Sequence, residues 1–164
     1  MAATLSVVVP VYGTKRDLPA CLESLRTQSL RDAEFLLVDD ASPDGAGAVL
    51  AEYARRDSRF RVLTHSQNRG LFAARMTGAD AATGKYLAFL DSDDFVSVDF
   101  YRAAVAGPSA KVAHVPRFCG AVPRANPPQC IQRFERARFP AGGKRREHIR
   151  YFVVVRYPAS RLPN

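Results

Sequence analysis

Three carboxylates crowd the end of one apolar run: residues 86–95 read Tyr-Leu-Ala-Phe-Leu-Asp-Ser-Asp-Asp-Phe. Asp91 and Asp93 are two apart, so an extended backbone sends both side chains to the same face. Two aligned carboxylates can hold a hard divalent cation, Mg2+ or Mn2+, which prefers oxygen ligands. Magnesium takes one or two such carboxylates and fills its shell with water and substrate phosphates. A nucleoside diphosphate is therefore the natural client. The opposing reading is a solvated acidic turn, and Asp-x-Asp alone does not decide between them. Asp94 suits a turn or supporting position as well as a ligand position.

The elements that must position these carboxylates alternate along the chain. Leu5 to Val11 is an apolar run ending at Tyr12-Gly13, and Glu34 to Val38 ends at Asp39-Asp40-Ala41-Ser42. Phe60 to Leu63 ends at Thr64-His65-Ser66. Such continuous runs suit parallel strands buried on both faces. Between them, Leu18, Cys21, Leu22 and Leu25 recur at helical spacing, as do Ala46, Val49, Leu50, Tyr53 and Ala54. A third helical segment runs from about Leu71 to Ala82. Asp17 reads as the first helix's N-cap, with Pro19 in its first turn and Gly84 as the stop signal of the third helix. Strand and helix in alternation predict an α/β fold with a parallel sheet. Its strand ends gather Tyr12, Asp40, Asp91 and Asp93 on one rim, where open α/β sheets bind ligands.

At five places in order the chain resembles family 2 glycosyltransferases. The first two are Val7-Val8-Val9-Pro10-Val11-Tyr12 and Cys21-Leu22-x-Ser24-Leu25-x-x-Gln28-Ser29. Next come Leu37-Val38-Asp39-Asp40-Ala41-Ser42-x-Asp44-Gly45 and Asn68-Arg69-Gly70-Leu71-x-x-Ala74-Arg75-x-x-Gly78. Gly84-Lys85-Tyr86 with the Asp91-Ser92-Asp93-Asp94 box completes the set. The likeness covers about residues 4 to 102. It implies a GT-A architecture, a Rossmann-like and mostly parallel sheet flanked by helices.

The resemblance also implies roles. The loop after the first strand would hold the nucleotide base, Tyr12 contacting it and Pro10 shaping the loop. Asp40 would accept a hydrogen bond from a uracil imide, a task suited to an acceptor-only carboxylate. Asp91 would lie near the ribose or the metal's hydration shell. Asp93 would bind the metal bridging the diphosphate, which neutralises charge on the leaving nucleoside diphosphate. Arg75 or Arg69 would bring positive charge to the phosphates. The implied activity is metal-dependent, inverting transfer from a nucleotide-sugar, a UDP-sugar first, to a glycan, lipid-linked or protein acceptor. Such acceptors imply polysaccharide or cell-envelope work, in the cytoplasm or at the inner face of the membrane, with peripheral membrane contact left open.

Each role has a plainer rival. Tyr12 can cap the edge of the core, Asp39 can serve as a turn acceptor, and Asp44-Gly45 can be only a turn before a helix. Arg75 can make a surface ion pair. Asn68 and Gly70 can shape a loop, Gly70 allowing a positive φ. His65 reads as a solvated or hydrogen-bonded side chain.

Near residue 106 the chain changes character. Residues 1–105 hold 12 Lys+Arg and 14 Asp+Glu, a net charge of −2. Residues 106–164 hold 12 Lys+Arg and 2 Asp+Glu, a net +10, with 8 of the 11 prolines. The reading is an incomplete nucleotide-sugar-binding domain, 1–105, followed by an irregular, poorly packed basic tail, 106–164. A basic tail raises nucleic acid or an anionic membrane as partners. Against nucleic acid, the tail has no glycine-rich phosphate loop, regular aromatic interleaving or helical charge stripe, and Lys144-Arg145-Arg146 is a short cluster. The acceptor-side elements of the resembled family have no match there. Glu135 and Glu147 are the only tail carboxylates, so no catalytic base is assigned. A shifted reading frame, a truncated gene or a divergent end would each account for this. The alternative function is accordingly a truncated, inactive nucleotide-binding fragment. Within the tail, Phe152 to Val155 is expected as a strand and Ile131 to Phe139 as a short helix. The three cysteines, Cys21, Cys119 and Cys130, form no metal spacing, and their odd number favours a reducing compartment. No signal peptide or membrane-spanning run is expected.

Overall fold

The structure is a computed structural model that describes residues 3–106, together with the backbone of 130–133 and 153–156. Strands β1 (Leu5–Val11), β2 (Ala33–Asp39), β3 (Phe60–Thr64) and β4 (Tyr86–Phe89) are mutually parallel and lie side by side as β3-β2-β1-β4. Helices α1 (Leu18–Arg26), α2 (Ala46–Arg56) and α3 (Leu71–Ala81) connect them, and α4 (Phe100–Ala106) follows β4. All residues of β1 and β2 are buried, because helices cover both faces of the sheet.

The period of two along β1 divides the core. Leu5, Val7, Val9 and Val11 face Leu18, Cys21, Leu22 and Leu25 of α1, Leu50 of α2 and Tyr101 of α4. Val8, with Leu36 and Val38, faces Ala74 and Ala79 of α3 on the other side. The small residues of α3 let it lie close on the strands. A Cβ on Gly78 would stand only 2.3 Å from Val8 Cγ1.

Two expected helix signals act differently. Asp17 stands at the N-cap of α1 in helical conformation and makes no side-chain cap bond. Pro19 does lie in the first turn. Helix α3 ends at Ala81 with the extended Ala82 as its cap, so Gly84 is not its stop. Gly84 instead donates its N–H to Ser6 Oγ at 2.8 Å, and a Cβ there would meet Ser6 N at 2.6 Å.

Two further strands extend the sheet beyond β4. Strand β5 is Cys130–Arg133 and β6 is Val153–Arg156; β6 runs antiparallel to β4, and β5 antiparallel to β6. The strand expected at Phe152–Val155 thus lies one residue further on. The helix expected from Ile131 is replaced by a strand over 131–133. A short helix is marginal on its own, whereas an open strand edge offers ladder partners. The rest of that segment, Cys119, Lys144-Arg145-Arg146, Glu135 and Glu147 lie outside the described residues. So does most of the expected 106–164 tail.

A buried acid ties the amino-terminal end of the sheet. Glu34 Oε1 accepts from Ser6 Oγ (2.6 Å), Thr83 N (2.6 Å) and Thr83 Oγ1 (2.8 Å), and Arg61 lies 3.2 Å from Oε2. Burial raises its pKa, but these hydrogen bonds outweigh burial and hold it below the ordinary value. A depressed folded-state pKa stabilises fully above the unfolded value of about 4.3 and loses that stabilisation as pH falls through the folded value. Denaturant midpoints measured from pH 7 down to pH 3 should therefore fall less steeply for Glu34→Gln than for the wild type. Parallel curves would show that this acid does not couple folding to pH.

Candidate functional site

Each parallel strand delivers its functional residues at its carboxyl end. Tyr12 follows β1 and is half exposed, at 50%. Asp40 follows β2, His65 follows β3, and Asp91 to Asp94 follow β4. Because β1 lies between β2 and β4, Asp40 and the acidic turn are separated by two strand spacings, about 10 Å. Pro10 is buried inside β1, paired with Val38. Val8 O accepts from Leu90 N, and the β4 register ends at Val8. Residues 8 and 10 face the same neighbour, so the donor Pro10 lacks falls where β4 pairing has ended.

The loops on this rim are sewn to one another. Thr14 Oγ1 bonds Ser92 Oγ at 2.7 Å, joining the β1 loop to the acidic turn. Gly13 N donates to Ser42 Oγ and Lys15 N to Asp44 Oδ2, both at 2.8 Å, joining it to the β2 loop. Asp44 also accepts from Ser42 Oγ and from Ala46 N at the start of α2. The Lys15 N–H leads the hydrogen bonds that hold the Asp44 carboxyl below its usual range. Asp44-Gly45 is thus a turn that also pins a neighbouring loop. Asp39 accepts from Ser42 N at 2.9 Å, in keeping with its reading as a turn acceptor.

The acidic box is not extended. Asp94 N donates to Asp91 O at 3.0 Å and closes a turn, so Asp91 and Asp93 do not share a face as strand neighbours would. Asp91 is partly buried and accepts from Arg75 Nη2 at 2.6 Å. Arg75 therefore forms a largely buried pair rather than a surface one, while the Arg69 side chain is exposed. Asp93 is exposed and makes no hydrogen bond or ion pair among the described residues. Asp94 is buried.

The charge of this turn is felt behind it. Cys21 Sγ points at Asp91 O, 3.8 Å away. Burial first, then the charges of Asp94, Asp93 and Asp91, push the thiol's pKa up, so Cys21 stays a neutral core residue. Gln28 braces the chain after the turn. Its amide donates to Ser24 O and Ser97 O and accepts from Tyr101 N, and Ser24 Oγ accepts from Val96 N. These contacts give the Ser24 and Gln28 positions their physical sense.

No group of three or more His, Cys, Asp or Glu side chains among the described residues forms a full metal cage. A site of the magnesium kind needs only one or two carboxylates, the remaining ligands coming from phosphates and water. Asp93, unengaged among the described residues, beside the partly buried Asp91 fits that donor set.

Asp40 is the opposite case, with its side chain 3% exposed. Its Oδ1 accepts from His65 Nδ1 at 2.6 Å and from Arg69 N at 2.8 Å, and its Oδ2 from Gly70 N at 2.8 Å. Gly70 has φ +85°, which turns its N–H toward this carboxylate at little steric cost. Burial raises the Asp40 pKa, but the His65 ring and the two backbone N–H groups outweigh it and hold it low. Sequence reasoning did not single out His65 for this role. The only sequence signal was its place one residue past β3.

The sequence model of the family described as Glycosyl transferase family 2 matches residues 6–141, beyond the break at 106. The chain is 44% identical over 97 residues to the uncharacterized glycosyltransferase EpsJ of Bacillus subtilis, covering 59% of this chain and 28% of that protein. It superposes on the crystal structure of S. aureus TarS 1-349 in complex with UDP-GlcNAc with a TM-score of 0.60 at 27% identity, covering 63% of this chain and 30% of that one. The mannosyltransferase PcManGT from Pyrobaculum calidifontis, in complex with GDP-Man and Mn2+, shares the fold at 23% identity with a TM-score of 0.60, over 71% of this chain and 37% of its own. The chain thus spans about a third or less of the length of these first two proteins.

Proposed function

The chain belongs to glycosyl transferase family 2, and on that premise we propose that its described part is the donor side of a UDP-sugar-dependent glycosyltransferase. The observation that carries this reading is the rim itself. Among the described residues, a buried carboxylate with one acceptor position unused follows β2, and a carboxylate with no partner follows β4, two strands away. One end would read the imide of a uracil, with Tyr12 against the base. The other would take the diphosphate. The likeness to TarS, solved with UDP-GlcNAc, supports uridine over other bases.

Asp93, assisted by Asp91, would hold a divalent cation, which when bound neutralises negative charge on the departing nucleoside diphosphate. Arg75 keeps Asp91 oriented and adds a cation beside it. Thr14 and Ser92 keep the β1 loop and the acidic turn in register, so base and diphosphate are held at a fixed separation. The acceptor would be a glycan, a lipid-linked saccharide or a protein hydroxyl, with inversion through direct displacement. No helix among the described residues is long and apolar enough to cross a membrane.

Calorimetry with UDP, with and without Mn2+, tests the reading. Binding is expected to tighten with the metal in the wild type and to lose that metal dependence in Asp93→Ala. A variant with unchanged metal-dependent affinity removes Asp93 as the ligand. Turnover of a UDP-sugar with saccharide acceptors tests transfer separately; UDP binding with no transfer to any acceptor would leave only a nucleotide-binding domain.

A further inference from the structure

We infer that His65 is a positioning residue for base recognition, fixing the carboxylate of Asp40 so that its one remaining acceptor position faces the donor nucleotide. The inference rests on the base-reading role proposed for Asp40.

The geometry is specific. His65 is nearly buried, with its side chain 5% exposed, and its backbone N donates to Asp39 O at 2.9 Å. The ring spans two elements: Nδ1 lies 2.6 Å from Asp40 Oδ1, and Nε2 lies 2.9 Å from Thr77 Oγ1 on α3. A carboxylate only accepts, so Nδ1 carries a proton and donates it to Asp40. In the neutral ring, Nε2 then accepts from the Thr77 hydroxyl. The carboxylate sets the tautomer, the Thr77 hydroxyl adapts to it, and the ring cannot rotate without losing both bonds.

An ionised carboxylate offers about four acceptor positions. Among the described residues, His65, Arg69 N and Gly70 N use three, two on Oδ1 and one on Oδ2. The remaining position is on Oδ2. A uracil presents an N–H at its imide, whereas cytosine presents a bare ring nitrogen there. One correctly aimed acceptor would thus separate UDP from CDP. His65 determines the aim because it is the only side chain among the three donors. It also links Asp40 to α3, the helix that carries Arg75 toward Asp91, so one ring ties the base end of the rim to the phosphate end.

The test compares Kd for UDP and CDP in the wild type, His65→Leu, His65→Asn and Thr77→Val, each below its own unfolding transition. Leucine keeps volume but removes both hydrogen bonds, and the UDP preference should shrink at least tenfold. Asparagine places an N–H near the position of Nδ1 and should restore much of the preference. Thr77→Val removes only the distal bond and should shrink it by a smaller factor. Lower thermal stability with an intact UDP preference in His65→Leu would overturn the inference, making the histidine merely structural. Equal wild-type affinity for UDP and CDP would instead remove the base-reading role of Asp40 itself, and this inference with it. The two failures are therefore distinguishable.

Discussion

Gly78→Val is expected to destabilise the fold by about 3 kcal/mol. An α-helix normally gains about 1 kcal/mol when glycine becomes alanine. Here that gain is overruled. Even the first carbon would lie 2.3 Å from Val8 Cγ1, 2.8 Å from its Cγ2 and 3.1 Å from its Cβ. Val8 is fully buried in β1 between β2 and β4, so it has no free direction to move. The helix must lift instead, breaking the contact of Ala74 and Ala79 with Leu36 and Val38. Alanine should cost about 1–2 kcal/mol net, and valine, with two more carbons, more. Lifting α3 would also shift Arg75 from Asp91 and Thr77 from His65. Urea unfolding measures the first effect; a Gly78→Ala midpoint at or above the wild type would show that the helix is free to give way.

The same contact shows what could be read from the chain alone. Continuous apolar runs marked β1, β2 and β4, and helical spacing marked α1 and α2, because burial on one or both faces leaves a period in the sequence. The order of elements then placed Tyr12, Asp40 and Asp91 on one rim. What depended on partners distant in sequence was hidden. Asp40 and His65 are 25 residues apart, and Asp40 and Gly70 are 30 apart, and neither pairing leaves any periodicity. Asp-x-Asp suggested an extended pair, but one hydrogen bond from Asp94 N bends it into a turn. Gly84 read as a helix stop because glycine serves both uses; only the nearness of Ser6 shows which applies. Residues 131–133 became a strand because β6 supplied an edge, and that edge lies twenty residues onward.

Asp40→Asn should weaken UDP binding roughly 10- to 150-fold, equivalent to the loss of a charge-assisted hydrogen bond of about 1.5–3 kcal/mol. The substitution keeps the shape and changes one oxygen to NH₂. Neither orientation of the amide satisfies the site. With its oxygen at Oδ1, the amide still accepts from His65 and Arg69 N, but its NH₂ then meets the Gly70 N–H and the incoming imide N–H. Turned over, it accepts from Gly70 and the imide, but its NH₂ confronts Arg69 N, even if His65 changes tautomer and accepts at Nδ1. Two backbone donors that cannot reverse, one on each oxygen, demand a carboxylate. The variant should therefore also lose about 2 kcal/mol of folding stability. Its depressed pKa gives the wild type a matching signature: Asp40 stabilises above the unfolded carboxyl's value, about 3.9, and that contribution is lost as pH falls through the lower folded value. Asp40→Asn should lack this acid-dependent part. Affinity is measured well below the variant's unfolding temperature, so that a weakened fold is not mistaken for weakened recognition. CDP provides the internal control. Its ring nitrogen accepts rather than donates, so the variant's CDP affinity should hold or rise while its UDP affinity falls. An Asp40→Asn protein that binds UDP as tightly as the wild type would confine this carboxylate to clamping the 65–70 loop.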